Sequence, residues 1–330
     1  MYIELLKQFD ERKKQIWQTF LEKAELHPDG DVTQTALLWD GDVLVAAGSR
    51  NQNLLKCLAV EKDRQGEDLI STVLSALRQE ALKEGYRHLF LYTKPENEDL
   101  FSSLFFYPVS KTDKVVLMEN RRNGIKDFLD AVPASKSGGK IGAVVMNCNP
   151  FTLGHRHLIE TAAKECDHLY VFVVEENKSR FSFNERLSMV KLGTADIGNV
   201  SVLSTGPYLI SSATFPTYFL KERETAEEVH CLLDIEIFAK YFAPKFSITH
   251  RYVGTEPLSP MTNRYNDALK TNLSKQGIEV VEVPRLEVEG QPVSASEVRH
   301  LLDEGNLEKV KRLVPAETFN FLNTNNKEDF

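Results

Sequence analysis

The spacing of hydrophobic positions predicts that the chain begins with a mixed α+β region. Apolar residues recur at helical intervals among polar ones over residues 2–26, which predicts an amphipathic helix. Two β-rich runs, Thr35–Trp39 and Val43–Ala47, flank the dipeptide Asp40-Gly41, which is a strong β-hairpin signal. The hydrophobic pattern therefore places a helix before an antiparallel pair of strands.

The next elements keep this mixed character. The pattern predicts strands at Leu54–Val60 and His88–Tyr92, and helices at Glu67–Glu84 and Asn97–Phe106. Since the strands form a hairpin before the main helix appears, the order is that of an α+β domain rather than a doubly wound one.

Beyond residue 140, short apolar strands alternate with helices. Helices are predicted at Gly154–Cys166 and Phe183–Leu192. Buried strands separated by helices imply an α/β domain with a parallel sheet, and ligands of such sheets bind at the carboxyl ends of the strands. The predicted strands are Ile141–Met146, Leu169–Val174, Val200–Leu203, Val229–Leu233, Ser247–Val253 and Glu279–Val283.

The two patterns meet in a stretch rich in Pro, Ser and Gly. A length of 330 residues is about twice that of a common single domain. Because Ala131–Lys140 has the composition of a flexible connector, we predict domains at 1–131 and 141–330, joined by a linker at 132–140.

Composition and charge exclude several classes of function. The chain is 42% hydrophobic and 27% charged, and its formal net charge is −8. A nucleic-acid partner is not expected of so acidic a chain, and no apolar run approaches the ~18 residues that span a membrane. Four widely spaced cysteines and an N-terminus broken by charges predict a cytoplasmic protein, and no metal-ligand spacing appears, so no protein-held metal is predicted.

The most informative motif follows the first strand of the second domain. The run from Asn149 through Thr152 to Gly154 and His155 joins the strand to a helix start. Free backbone N–H groups and the helix dipole make such a turn an anion site, at which a His in the first turn can donate to phosphate oxygens. On its own, however, His155 is equally well explained as a satisfied structural histidine.

Three further segments carry polar or charged groups at the ends of predicted strands. Lys178 and Arg180 lie in a loop before the second helix, and Gly254 and Glu256 follow a later strand. The segment Val293–Arg299 adds Ser294, Ser296 and Arg299 at another helix start. Phosphate binding explains these residues, but so do a solvated loop, helix capping and a local ion pair of Arg299 with a neighbouring carboxylate.

Together these motifs resemble those of the nucleotidyltransferase superfamily, with Thr152 and His155 in the places of its two motif histidines. The resemblance implies a Rossmann-like fold and a nucleotide site. It assigns catalytic roles to His155, Lys178 and Arg299. The implied ATP- and phosphate-binding residues are Asn149, Thr152, Gly154, His155, Lys178, Arg180, Gly254, Glu256, Ser294, Ser296 and Arg299.

The first domain is similar to the GNAT acetyltransferases over Leu58–Leu69 and Lys94–Tyr107. Three positions differ from that family's pattern: Asp63 stands where Gln or Arg is usual, and Asp68 and Phe105 stand where small residues are usual. A carboxylate at Asp68 would repel the pyrophosphate of CoA. We therefore expect a domain that docks an acyl-CoA-like group or its carrier, rather than an active acetyltransferase.

Over nearly its whole length the chain resembles the citrate lyase ligase family. The resemblance implies an acid–thiol ligase that uses ATP, Mg²⁺ and acetate. The implied enzyme acetylates the thiol of the CoA-like prosthetic group on the citrate lyase acyl-carrier subunit. The implied intermediate is acetyl-adenylate, and AMP and pyrophosphate are released. Two alternatives stay open at this point: an adenylyltransferase acting on a phosphorylated small molecule such as phosphopantetheine, and a GNAT-type N-acetyltransferase.

Overall fold

The computed structural model describes residues 1–134, 138–176, 178–209, 215–219, 223–255 and 260–325, without the side chains of 223–227, 260–262 and 325. The chain divides into two compact units. Unit 1 comprises Met1–Asp127 and Phe215–Leu233, and unit 2 comprises Phe128–Thr214 and Asp234–Phe330. The domain limits at 131 and 141 stay a prediction.

Unit 1 contains a seven-stranded sheet in the order β1-β2-β3-β4-β5-β7-β6. Neighbouring strands are antiparallel except β4 and β5, which are parallel. The strands are β1 (Tyr2–Leu6), β2 (Gln34–Asp40), β3 (Val43–Asn51), β4 (Leu54–Val60), β5 (Phe90–Thr93), β6 (Tyr107–Lys111) and β7 (Val116–Glu119).

One helix provides most of the cover for this sheet. Val73 and Leu77 of α2 pack with Leu91 of β5 and with Phe106 in a common core, and all four side chains are fully buried. This arrangement confirms the predicted α+β class. The helices are α1 (Glu11–Lys23), α2 (Leu69–Lys83), α3 (Glu98–Ser103) and α4 (Gly124–Asp130).

The predicted helix over 2–26 is wrong at its beginning. Tyr2–Leu6 forms β1, which pairs with β2, and α1 starts only at Glu11. Asp10 sets that start, because its side chain accepts a hydrogen bond from the Lys13 N–H at 2.8 Å. The hairpin around Asp40-Gly41 is confirmed, with Gly41 at φ +61°.

Unit 2 contains a five-stranded parallel sheet in the order β10-β9-β8-β11-β12. The strand order reverses between β8 and β11, which makes the carboxyl ends of these strands the expected ligand site. The parallel sheet confirms the predicted α/β class. Its strands are β8 (Ile141–Met146), β9 (His168–Val173), β10 (Val200–Ser204), β11 (His250–Gly254) and β12 (Glu279–Val283); a separate pair is formed by β13 (Glu287–Val288) and β14 (Gln291–Pro292).

The predicted strand at Val229–Leu233 is wrong, because these residues lie within α7. Val229 and Leu233 are both buried at a spacing of four, which suits one face of a helix as well as a short strand does. The remaining helices are α5 (Leu153–Glu165), α6 (Phe183–Leu192), α7 (Arg223–Ile237), α8 (Ala243–Phe246), α9 (Pro260–Ser274), α10 (Ala295–Asp303), α11 (Leu307–Leu313) and α12 (Ala316–Asn325).

No helix in the described ranges combines the length and the apolar character needed to cross a bilayer.

Candidate active site

The turn between β8 and α5 forms the centre of the candidate site. Cys148 has a left-handed backbone, and a cis peptide bond joins Asn149 to Pro150. Thr152 then caps α5 by accepting a hydrogen bond from the His155 N–H at 3.4 Å. The first N–H groups of α5 therefore lie at the carboxyl end of β8, next to the strand reversal.

His155 completes a capping box with Thr152. The backbone N–H of Thr152 donates to Nδ1 of His155 at 3.0 Å, and the Thr152 hydroxyl lies 2.9 Å from the same nitrogen. Because Nδ1 accepts a hydrogen bond from a backbone amide, the proton of the neutral imidazole must sit on Nε2. The capping box thus holds the ring with an N–H donor on its far side.

His155 is neutral over the physiological pH range. Burial and, to a smaller extent, the positive charge of Arg285 together lower the pKa of its imidazole to about 4. The ring also lies nearly parallel to that of Phe151, with centroids 5.9 Å apart. His155 can therefore act as a hydrogen-bond donor but carries no charge near pH 7.

This pKa shift predicts a specific dependence of stability on pH. Between about pH 6.5 and pH 4 the unfolded chain binds a proton at His155 that the folded chain does not. The contribution of His155 to the free energy of unfolding is therefore complete above pH 6.5 and falls, by up to about 3 kcal/mol, as the pH drops towards 4. Urea unfolding at several pH values measures it.

The matched comparison is His155→Gln, which cannot titrate. The decline in stability from pH 6.5 to 4.5 should be shallower in this variant than in the parent protein, although other histidines contribute equally to both. If the free energy of unfolding falls equally with pH in the two proteins, the lowered pKa of His155 is contradicted.

Gly154 brings the segment before α10 against the first turn of α5. A Cβ at this position would lie 3.0 Å from the carbonyl oxygen of Val293. The absence of a side chain therefore permits a close approach of two backbones. Immediately after Val293, Ser294 caps α10 by accepting from the Glu297 N–H at 3.1 Å, and its hydroxyl lies 3.2 Å from that of Ser296.

The loop after β9 and the helix α10 both bond to the first motif. The side-chain oxygen of Asn149 accepts from the Phe181 N–H at 3.3 Å, and the Asn149 carbonyl accepts from Arg299 at 2.6 Å. Arg180 donates to the carbonyl of Arg299 at 3.2 Å and forms an ion pair with Asp303 at 2.5 Å. The three predicted motifs therefore meet at one place.

Arg186 is a buried connection between these segments. Its guanidinium, wholly shielded from solvent, donates to the carbonyls of Phe181, Asn147, Val174 and Glu176 at 2.6 to 3.1 Å. It also donates to the side-chain oxygen of Asn147 at 2.7 Å. One side chain thus holds the ends of β8 and β9 and the loop before α6. The sequence motif contains Arg186, but its role was not recognised from the sequence.

Glu176 shapes the loop that carries Lys178. Its carboxylate accepts from the Lys178 backbone N–H at 2.7 Å and from the Ser179 hydroxyl. Burial on its own raises the pKa of Glu176, but these hydrogen bonds and the charge of Arg186 outweigh it and lower the pKa overall. The Lys178 side chain itself is exposed.

Arg285 is a second candidate that sequence reasoning missed. It follows β12, and its Nε donates to the Thr255 carbonyl at 2.8 Å while its charge acts on His155. Gly254 ends β11, and its carbonyl accepts from Asn266 at 3.0 Å. Glu256 lies outside the described residues, so its predicted role is a matter of sequence alone.

Chemically, the described site is a set of donors for anions. It contains helix-start amides, the Nε2–H of His155, hydroxyl groups and arginine side chains. Within the described parts of the chain, no group of three or more His, Cys, Asp or Glu side chains comes together around a possible metal position. Cys148 is 1% exposed, and burial raises the pKa of its thiol, which suits a core residue better than a nucleophile.

In unit 1, Phe215 and Tyr218 pack against β5, which pairs only briefly with β4. The two strands pair at only two positions. The hydroxyl of Tyr218 donates to the Tyr92 carbonyl at 3.0 Å, and the ring of Phe215 packs edge-on against that of Tyr92. Asp68 has a left-handed backbone, φ +57°, at the start of α2.

Comparison with known proteins places this site in a family. Residues 141–322 match the family model described as citrate lyase ligase C-terminal domain. Three curated relatives named [Citrate [pro-3S]-lyase] ligase are 36 to 42% identical to this chain. The one from Klebsiella pneumoniae is 42% identical over 326 residues, which cover 97% of this chain and 95% of the relative.

Solved structures resemble parts of the chain more distantly. Thermotoga maritima TmcAL bound with alpha-thio ATP is 16% identical, with a TM-score of 0.35, over 58% of this chain and 56% of its own. An acetyltransferase of the GNAT family from Staphylococcus aureus MU50 is 12% identical, with a TM-score of 0.31, over 36% of this chain and 100% of its own.

The family model covers more than half of the residues, and the curated relatives align along almost the whole chain. Both matches agree with the site described above, in which the three motifs of unit 2 converge. The chain therefore belongs to the citrate lyase ligase family, whose members are enzymes of the acid–thiol ligase kind.

Proposed function

We propose that this ligase uses ATP and acetate to acetylate the thiol of the CoA-like prosthetic group on the citrate lyase acyl-carrier subunit, by way of acetyl-adenylate. One observation carries the proposal. Three separate segments of unit 2 meet at the start of α5 and present hydrogen-bond donors there, in a chain of the citrate lyase ligase family.

The triphosphate of ATP would lie over the first turn of α5. Its oxygens would accept from the helix-start amides and from the Nε2–H of His155. Thr152 is 1% exposed, and its bonds to His155 suit it to orienting the ring. Lys178 and Arg299 supply positive charge, together with the hydroxyls of Ser294 and Ser296.

The first chemical step needs alignment rather than a base. Acetate is ionised near pH 7, so one of its oxygens attacks the α-phosphorus directly, forming a C–O–P bond as the bond to pyrophosphate breaks. Negative charge grows on the departing pyrophosphate, where fixed donors and cations lower the barrier. The Nε2–H of His155 is suited to this role because it is held in place before the reaction.

In the second step, the carrier thiol attacks the carbonyl carbon of acetyl-adenylate. The new C–S bond replaces the C–O bond to AMP, and the thiol proton is released. Burial raises the pKa of Cys148, so an acetyl-cysteine intermediate on this residue is disfavoured. Acetyl transfer would therefore pass directly from AMP to the carrier.

The donor set also fits Mg²⁺ as an ion that enters with the nucleotide. In the described residues the site offers N–H groups, hydroxyls and cations, which bind phosphate, and no carboxylate cluster that would cage a metal. The phosphate oxygens would hold Mg²⁺, which when bound neutralises part of their charge. The Nε2–H of His155 and the helix amides would orient the same phosphates.

For unit 1 we propose docking of the carrier rather than acetyl transfer. Tyr218 and Phe215 both contact Tyr92 of β5, which limits access of an acyl chain to that part of the sheet. The Asp68 carboxylate stands beside the loop that would otherwise receive a pyrophosphate. Both features, like the family match, disfavour a GNAT-type N-acetyltransferase.

The experiment that tests this function uses a panel of acids. With ATP and Mg²⁺, we expect acetate to trigger pyrophosphate release at least about tenfold faster than formate or butyrate. Formate lacks the methyl group of acetate, and butyrate is two methylenes longer. One such group in a fitted pocket is worth about 1–3 kcal/mol. Phosphopantetheine should trigger none. Pyrophosphate release with phosphopantetheine but not with acetate would instead identify an adenylyltransferase of phosphorylated small molecules.

A further inference from the structure

The end of α3 in unit 1 contains an unusual residue. The N–H of Phe105 donates to the Ser102 carbonyl at 3.1 Å, and the N–H of Phe106 donates to the Phe101 carbonyl at 3.0 Å. These two bonds form a Schellman motif, in which the residue at the position of Phe105 adopts a left-handed backbone and is usually glycine. Phe105 has φ +64°.

Packing of the Phe105 side chain within the fold does not offset this strain. It is 66% exposed, whereas the neighbouring Phe106 is fully buried. A left-handed backbone is unfavourable for any residue with a Cβ. A bulky aromatic residue held in this conformation, with its ring in solvent, therefore points to a contact outside the chain. Leu100, on the same short helix, is also exposed.

Positive charge lies beside this apolar surface. Tyr107, at the start of the edge strand β6, pairs with Glu119 at the end of β7, and the chain continues from there to Arg121 and Arg122. The Arg122 guanidinium lies 5.6 Å from the centre of the Tyr107 ring. Both arginines are exposed, and in the described part of the chain no carboxylate forms an ion pair with either.

We name this surface the β6 corner and define it by Leu100, Phe105, Tyr107, Arg121 and Arg122. It combines aromatic residues and arginine, the residue types most often found at the centre of protein interfaces. We propose that the β6 corner is the docking surface for the acyl-carrier subunit, an inference that rests on the proposed function.

The partner follows from charge complementarity. The carrier bears a CoA-like prosthetic group, whose phosphates are anionic. Among the described residues no carboxylate pairs with these two exposed arginines, so they suit such an anion, and Arg binds phosphate through paired N–H groups. Phe105 would provide the apolar anchor against the protein surface around the attachment point. The Schellman motif fixes the direction of its Cα–Cβ bond before binding, which limits the backbone entropy lost on docking.

The test is the binding of purified carrier subunit to the full-length protein carrying Phe105→Gly. Glycine suits the left-handed backbone, so the melting temperature should equal or exceed that of the parent, and a loss of binding cannot be ascribed to unfolding. We expect the Kd for the carrier to rise about tenfold or more. The double variant Arg121→Glu/Arg122→Glu should weaken binding further at low salt and flatten its dependence on ionic strength.

The chain contains a matched control in Glu25→Gly. Glu25 ends α1 in the same motif, with φ +57°, and the bonds Glu25 N–H to the Glu22 carbonyl and Leu26 N–H to the Leu21 carbonyl measure 3.0 and 2.9 Å. This variant introduces glycine at a residue of the same backbone conformation in the same unit, and Glu25 is not part of the β6 corner. Its Kd for the carrier should match that of the parent.

Carrier binding and acetate-dependent pyrophosphate release are measured separately on the same preparations. If the Kd of Phe105→Gly stays within twofold of the parent value, the docking proposal is wrong, whatever the activity. If that variant instead loses self-association while it keeps carrier binding, the corner serves a second copy, and the proposal is also wrong. Absent pyrophosphate release in the parent contradicts the proposed function, while the binding result still decides the docking surface.

Discussion

His155→Ala should lower the rate of acetate-dependent pyrophosphate release by a factor of about 10² to 10³. The variant removes the Nε2–H donor that we propose binds the phosphates of ATP, and loss of one donor at developing charge costs about 2.7 to 4 kcal/mol in the transition state. The rate at saturating ATP and acetate measures the effect, and the KM for ATP should change much less.

Two further variants separate chemistry from helix capping. His155→Gln keeps an N–H donor near the place of Nε2 and should retain more activity than His155→Ala. His157→Ala removes a neighbouring histidine on the same helix, and it should behave like the parent protein. Near-normal pyrophosphate release by folded His155→Ala would show that His155 is only a structural cap.

Arg186→Met should lower the free energy of unfolding by about 3 to 5 kcal/mol. The substitution leaves Glu176 without its buried counter-charge and removes the donors of several carbonyls in three segments of unit 2. Denaturant unfolding measures the loss. Arg186→Lys should recover little of it, because one ammonium group cannot reproduce the fork of a guanidinium.

Arg156→Met provides the control for this effect. Arg156 is partly exposed and pairs with Glu160 and Asp196 at the surface, where an ion pair is worth at most about 1 kcal/mol. A loss of less than about 1 kcal/mol in Arg186→Met, or an equal loss in both variants, would contradict the structural role of Arg186.

The local part of the site was predictable from the sequence. The run from Asn149 to His155 connects a buried strand to a helix, and such a connection depends on residues that are close in the chain. Helix capping by Ser294 was proposed from the sequence for the same reason. The β2–β3 hairpin was equally local, since Asp40-Gly41 determines its turn.

The missed residues depend on contacts that sequence spacing does not reveal. Arg285 lies 130 positions after His155 in the chain. Its charge acts on His155 because the strand order places β12 beside β11, which itself pairs with β8. Arg186 was assigned no role from the sequence. One signal was present, however: a positive charge in the first turn of α6 opposes the helix dipole, which suggests that another interaction holds it there.

The secondary-structure errors have a similar cause. Tyr2–Leu6 is a strand because β2 lies beside it, not because of its own periodicity. Val229–Leu233 is helical because its apolar side chains cover one face of a longer helix. In both places a short apolar segment was compatible with two structures, and tertiary pairing decided between them.

In the proposed reaction, an oxygen of acetate attacks the α-phosphorus of ATP. The most direct test uses acetate labelled with ¹⁸O at both oxygens, together with ATP, Mg²⁺ and the thiol form of the carrier subunit. When the thiol displaces AMP from acetyl-adenylate, the bridging oxygen leaves with AMP, so mass spectrometry should find one ¹⁸O in each AMP formed and none in pyrophosphate. Unlabelled AMP formed alongside acetylated carrier would contradict an attack of acetate on the α-phosphorus.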